Sequence, residues 1–277
     1  MRDNTLATKP FLRWAGGKTW LLKYLENIIG NIDFNNYHEP FLGGGAVFFS
    51  NKVPKGAFLS DLNEELINTY QLVKENPEDI IKILKTYENK EEFYYNLRRE
   101  NSKDKCIRAA KFIYLNHTSF NGIYRVNRNG EYNVPYGFRN IDFIEEERIR
   151  AASKALQRAC LFHGDFLQCI NNIKAGDLVF LDPPYTVSHN NNGFIKYNQT
   201  LFSIEDQIRL SSFIDSVKKI GAYYILTNAA HEVIKEIFEK GDNCYELSRA
   251  SLIGGNKAKR GDVEEYLFTN IPEDKIK

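Results

Sequence analysis

The chain has 277 residues, 43% of them hydrophobic, with 37 basic against 36 acidic side chains and a net charge of +1. This length and apolar share support a sizeable core, as one large domain or a domain with an insertion, and exclude disorder. Near-neutrality excludes a polyelectrolyte binder but leaves room for a local basic stripe. No run approaches the roughly 20 apolar residues of a membrane span, and MRDNTLATKP lacks a secretory apolar stretch, so an intracellular, cytoplasmic chain is expected. Cys106, Cys160, Cys169 and Cys244 form no C-x-x-C pair, and no H-x-E precedes a P-C-x-x-C. No disulfide framework, zinc site or zinc-deaminase chemistry is expected, and no metal.

In chain order, the first feature is RWAGGKT, Arg13 to Thr19. It fails as a phosphate-binding loop, because G-x-x-x-x-G-K-[ST] requires glycine where Leu12 stands. YHEPF (37–41) and AFLSD (57–61) are strand-length and apolar, and LNEELINTYQLV (62–73) follows with helical spacing. Between about 63 and 155 the strand–helix alternation breaks. EEFYYNLRRE and IRAAKFIYLNH read as helices, and IYRVNRNGEYNVPYG as a β-hairpin turning at Asn129-Gly130. From Arg98 to Arg139 there are nine basic and three acidic residues, a local net of +6. Alternation resumes with ACLFHGD (159–165), LVFLDPP (178–184), the helical SIEDQIRLSSFIDSVKKI (203–220) and YYILTN (223–228). The pattern predicts an α/β fold with a mostly parallel sheet and a basic, mainly helical insertion. Ligands sit at the carboxyl ends of such strands, where Glu39, Asp61, Asp165 and Asp182 fall.

Three motifs carry chemistry. LDPPY (181–185) closes an apolar strand. Pro183 and Pro184 fix the backbone and remove two amide donors while their carbonyls remain acceptors. With Asp182 before them and Tyr185 after, the corner offers acceptors for both hydrogens of an exocyclic amine and an aromatic face for its ring. EPFLGGGAVFF (39–49) places glycines after a strand, permitting close backbone approach to a ligand. It fails as a dinucleotide fingerprint, since Phe48 stands where a third glycine belongs. Asp61 lies 18 positions beyond Gly43, near the offset of a ribose-binding acid, which favours an adenosyl ligand.

FLRWAGGK, EPFLGGGAVFF, LSDLNEELI, NGIYRVNRNGEYNVPYG and DPPY occur in the order and approximate spacing of the Dam-type DNA adenine-N6 methyltransferases, including the restriction-associated DpnII-like enzymes. The chain resembles that family over almost its whole length. The resemblance implies a Rossmann-like S-adenosylmethionine-dependent methyltransferase sheet (1–62 and 156–277) and an inserted target-recognition domain (63–155) carrying the hairpin. It implies S-adenosylmethionine as methyl donor, S-adenosylhomocysteine as product, and base flipping. Carried onto this sequence, Trp14 and Lys18 contact the methionine end of the donor, and Gly43–Gly45 lie against it with Glu39 nearby. Asp61 takes the ribose hydroxyls, while Asp165 and Phe166 read the donor's adenine. Asp182 and the Pro183 carbonyl hold the target amine, Pro184 stiffens the corner and Tyr185 stacks on the base. Phe194 and Tyr197 help close over it.

Similar family members read GATC with residues matching Arg13, Asn121, Ile123, Arg125 and Pro135. Arg125 offers the fork suited to guanine O6 and N7, Asn121 an amide for an adenine edge or phosphate, and Ile123 a wedge. Phe138 stands where close relatives commonly carry arginine, so a GAT core is the safer expectation. The expected partner is double-stranded DNA, with a cognate restriction endonuclease left open and a monomer as default. Two alternatives stand beside this reading: an amino-methyltransferase for another base or amide, and a silent DNA-binding homologue.

Overall fold

The computed structural model describes residues 8–29, 32–50, 56–127, 129–186, 202–250 and 262–276. Seven strands occur among them: β1 Asn36–Glu39, β2 Gly56–Asp61, β3 Ala159–His163, β4 Leu178–Leu181, β5 Tyr223–Ala229, β6 Asn243–Ala250 and β7 Asp262–Thr269. Most run parallel, and the fold is the mixed α/β, Rossmann-like class expected. The chain divides into two compact units, Met1–Leu22 with Leu42–Gly164, and Lys23–Phe41 with Asp165–Lys277.

In the first unit β2 and β3 pair in parallel from Ala57↔Ala159 to Asp61↔His163. The helix Glu64–Glu75 starts where Asn63 accepts the Leu66 amide, with Glu64 and Glu65 in the first turn and Lys74 in the last, each sign matching the helix dipole. Asp104 caps the helix Lys105–Thr118 in the same way, accepting the Cys106 and Ile107 amides. That helix is buried along most of its length and packs against Glu64–Glu75 and Pro77–Leu84. Ala109 and Ala110, both fully buried, allow the close approach.

The expected hairpin is looser than a ladder. Single bridges join Val126 to Tyr132 and Ser119 to Tyr136. Its turn is also wider than Asn129-Gly130: the Gly130 amide donates to Asn127 O, and the Asn127 amide to Glu131 O. The Asn127 side chain accepts the Asn129 and Glu131 amides. Gly130 alone of the Asn129-Gly130 pair has positive φ, at 79°, whereas a tight two-residue turn of the Asn-Gly type needs both.

In the second unit the strands neighbour one another in the order β1-β4-β5-β7-β6. β1, β4 and β5 are parallel, and β7 inserts antiparallel between β5 and β6. β4 is buried at every position, as a strand covered on both faces should be. The helix Ile204–Ile220 begins with a reciprocal Ser203–Asp206 capping box and ends at Gly221, whose φ of 86° a side chain would resist. No helix of the described residues is long and apolar enough to cross a membrane.

Candidate functional site

Glu39 ends β1 and Asp182 follows β4, so the parallel β1–β4 pair brings both acids to the same edge of the second unit. Leu181 lies opposite Leu226, and the next residue on each strand meets across that edge: Thr227 Oγ1 donates to Asp182 Oδ1 at 2.9 Å. Pro183 is buried and Pro184 exposed. The Tyr185 hydroxyl donates to Glu265 Oε2 at 2.6 Å. Burial, followed by the Asp182 and Glu265 charges, holds the Tyr185 phenol well above its ordinary range, so it remains a protonated donor. Glu39 is buried and accepts from the buried Tyr37 hydroxyl at 2.9 Å. Burial first, then Glu39, with a smaller contribution from Asp182, pushes the Tyr37 phenol up as well.

Asp165 and Phe166 adjoin one another in the same unit, with much of their capacity committed locally. Asp165 accepts the Leu167 amide at 2.9 Å and the Arg209 guanidinium at 3.1 Å. Phe166 is buried among Phe41, Phe202 and Phe213, with the Arg209 guanidinium 5.3 Å over its ring.

The first unit gathers Trp14, Lys18, the glycines and Asp61. Asp61 Oδ2 accepts the Gly43 amide and Oδ1 the Asn63 amide, each at 3.0 Å. Burial raises the Asp61 carboxyl, and the amides of Gly43, Asn63 and Leu62 draw it partly back. Such amide-held oxygens keep further acceptor capacity, which suits vicinal hydroxyls. The structure adds a reason for the glycines beyond ligand approach. A Cβ on Gly43, whose φ is +47°, would stand 2.7 Å from Trp14 Nε1, and one on Gly44 2.9 Å from Trp14 Cβ. At Gly45 the Tyr70 hydroxyl and Phe49 ring are the near neighbours, and Tyr70 also donates to Gly43 O. Trp14 stacks on Tyr124 with centroids 5.5 Å apart. Lys18 is only 4% exposed and donates to Gly16 O at 3.1 Å.

The expected readers Arg13, Asn121, Ile123, Arg125, Pro135 and Phe138 all fall in this unit. Arg13 and the Asn121–Ile123 turn meet directly, since a Cβ on Gly122 would lie 2.6 Å from Arg13 Nε. Asn121 adopts a left-handed conformation, φ 58°, that asparagine tolerates better than most residues. Arg125 is exposed, with Nε donating to Asn133 Oδ1 at 2.8 Å. Pro135 is exposed, and its carbonyl accepts the Phe120 amide. Phe138 is 73% exposed, with φ 50°, and its ring meets Tyr136 edge-on at 4.9 Å. Phe194 and Tyr197 lie outside the described residues.

Two features escaped the sequence. The fully buried Asn116 clamps Arg13 by its backbone, accepting its amide and donating to its carbonyl, each at 2.8 Å. The basic insertion is also less of an open stripe than its charge count suggests. Arg98 donates to Val134 O, Lys111 to the Arg98 carbonyl, Arg108 pairs with Glu65, and Arg139 donates to His117 O and Ser119 O. Arg99, Lys103, Lys105 and Arg125 are the exposed cations among the described residues from Arg98 to Arg139.

A carboxylate–proline–proline–tyrosine corner thus follows a central parallel strand of a Rossmann-like fold, the arrangement expected of an amino-methyltransferase. Residues 14–252 match the family described as D12 class N6 adenine-specific DNA methyltransferase, and the chain belongs to that family. It is 34% identical to the type II methyltransferase M1.LlaDCHI of Lactococcus lactis subsp. cremoris, over 98% of each chain. It is 35% identical to the type II methyltransferase M.MjaIII of Methanocaldococcus jannaschii, over 96% of this chain and all of that one. The DNA adenine methylase of Vibrio cholerae is 27% identical, over 95% of this chain and 96% of its own. The chain is thus a site-specific, adenine-specific DNA methyltransferase.

Proposed function

We propose that the enzyme takes its methyl group from S-adenosylmethionine and delivers it to N6 of an adenine extruded from duplex DNA, at a site with a GAT core. The observation that carries this reading is the Asp182 carboxylate, fixed at its Oδ1 by Thr227 beside two prolines and a tethered tyrosine. Residues 63–155 act as the target-recognition domain, and 1–62 with 156–277 as the catalytic domain.

The donor, when bound, supplies an electrophilic methyl on a sulfonium. We assign Asp61 to its ribose hydroxyls, Trp14, Lys18, Glu39 and Gly43–Gly45 to its amino-acid end, and Asp165 with Phe166 to its adenine; the amide-held Asp61 carboxylate supports the first of these. Asp182 and the Pro183 carbonyl accept the two amine hydrogens. This loosens conjugation of the nitrogen lone pair with the ring and orients it for attack. Asp182 need not be a strong base, because the N6 proton becomes acidic only as the new bond forms. Orientation of the two reactants supplies much of the acceleration.

Arg125 reads guanine, Arg13, Asn121, Ile123 and Pro135 complete the GAT contacts, and Phe138, standing in place of the relatives' arginine, leaves the outer pair unspecified. Phe194 and Tyr197 help cover the flipped base. We further propose a cytoplasmic, monomeric enzyme, with a restriction nuclease as functional counterpart. Asp182→Ala is expected to abolish transfer of tritiated methyl to duplex DNA while calorimetry still detects much of the donor binding. Undiminished turnover of the variant would refute the role given to Asp182.

A further inference from the structure

Glu265 belongs to none of the motifs, yet it is 1% exposed and takes the Tyr185 hydroxyl at 2.6 Å from 80 residues away in sequence. Enclosing an acid so completely is costly unless its oxygens are bonded. The sheet explains how it arrives there. Leu181 pairs with Leu226 on β5, and β7 sets Leu267 opposite Thr227 and Glu265 opposite Ala229. Directly opposed residues share a face, as do positions two apart along a strand, so Thr227 and Glu265 point to the same side. From that side Thr227 holds Asp182, and Glu265 holds Tyr185.

We infer that Glu265 is a positioning residue for methyl transfer, acting through Tyr185 to set the orientation and electron density of the ring that meets the target base. The inference rests on the reading of residues 182–185 as the acceptor corner. A short hydrogen bond from a phenol to an acid fixes the ring's rotation about its long axis and shifts electron density toward the ring. An aromatic face made more negative attracts positive charge. Adenine acquires such charge as the methyl arrives: the sulfur–carbon bonding pair stays on sulfur, the N6 lone pair forms the new bond, and one N6 proton then passes to the Asp182 carboxylate that accepts it, and from there to water. The stabilisation exists only once charge has developed, so it raises the rate of the chemical step and leaves ground-state binding nearly unchanged.

The test is single-turnover methyl transfer to a duplex with one GATC site by wild type, Glu265→Gln, Tyr185→Phe and the double variant. Both substitutions conserve shape, and Tyr185→Phe keeps the ring. Each single variant is expected to transfer about tenfold more slowly with KM for DNA within about twofold of wild type. The double variant is expected to be no slower than Tyr185→Phe alone. Wild-type rates in Glu265→Gln, or a further tenfold loss when it is added to Tyr185→Phe, overturn the inference. Should Glu265→Gln not yield folded protein, Tyr185→Phe decides alone: an unchanged rate overturns it. A wild-type enzyme that forms no N6-methyladenine refutes the acceptor-corner reading itself, a failure distinct from that of Glu265.

Discussion

Arg125 lies across its hairpin with Nε on the Asn133 side chain, and the Asn133 amide returns to Arg125 O, so the guanidinium is held before any base is met. A held fork loses less freedom on forming two parallel hydrogen bonds, the geometry a guanine edge demands. Arg125→Ala is expected to cost about 1–3 kcal/mol of discrimination at one base pair, measured by methylation rates across single-base variants of the site. Equal losses on every duplex would make Arg125 a phosphate contact. Arg125 was singled out in the sequence by the family resemblance, with a fork suited to a guanine edge, within a basic hairpin segment. Its holder Asn133, and Asn116 beneath Arg13, were not. An asparagine carries the same letter whether it faces water or clamps a backbone.

Among the elements, β1 to β5 and the helices Glu64–Glu75 and Ile204–Ile220 were readable because apolar runs, caps and acidic strand ends coincide in one stretch of chain. β6 and β7 were not singled out. β7 reads DVEEYLFT, where two adjacent glutamates mask a strand whose Glu265 is buried to meet Tyr185. Side-chain pairing across 80 residues leaves no local trace. The hairpin was legible as a reversal, but its turn is closed by Asn127 and Glu131 and not by a two-residue Asn129-Gly130 turn, because the Asn127 side chain accepts backbone amides there. The glycine run was legible as a place of close approach. That Trp14 is what approaches Gly43 and Gly44 depends on chain 29 residues or more upstream, beyond any local pattern.

At the scale of the whole molecule, each unit encloses a histidine. His38 is fully buried against Asp177 at 2.8 Å, and His117 is buried with Nε2 on Phe11 O at 2.8 Å. Burial lowers both, outweighing the Asp177 bond at His38 and the Phe11 bond at His117. The unfolded chain then binds more protons than the folded one below the ordinary histidine value of about 6.5, so stability falls as pH drops through that point. Asp61, held above its ordinary value, has the opposite sign: it gains stability as pH falls through its raised folded value, and that gain is complete only below the ordinary carboxyl value of about 3.9, so it opposes the two histidines. Urea midpoints are therefore expected to be lower at pH 5.5 than at pH 7.5, with a smaller difference in His117→Gln. A midpoint independent of pH over this interval would contradict the burial account. The central claim, that the corner at Asp182–Tyr185 methylates an adenine amine, is tested most directly by mass spectrometry of nucleosides from duplex DNA incubated with the enzyme and isotopically labelled S-adenosylmethionine. The label is predicted in N6-methyldeoxyadenosine, and label confined to N4-methyldeoxycytidine, or absent from every nucleoside, would contradict it.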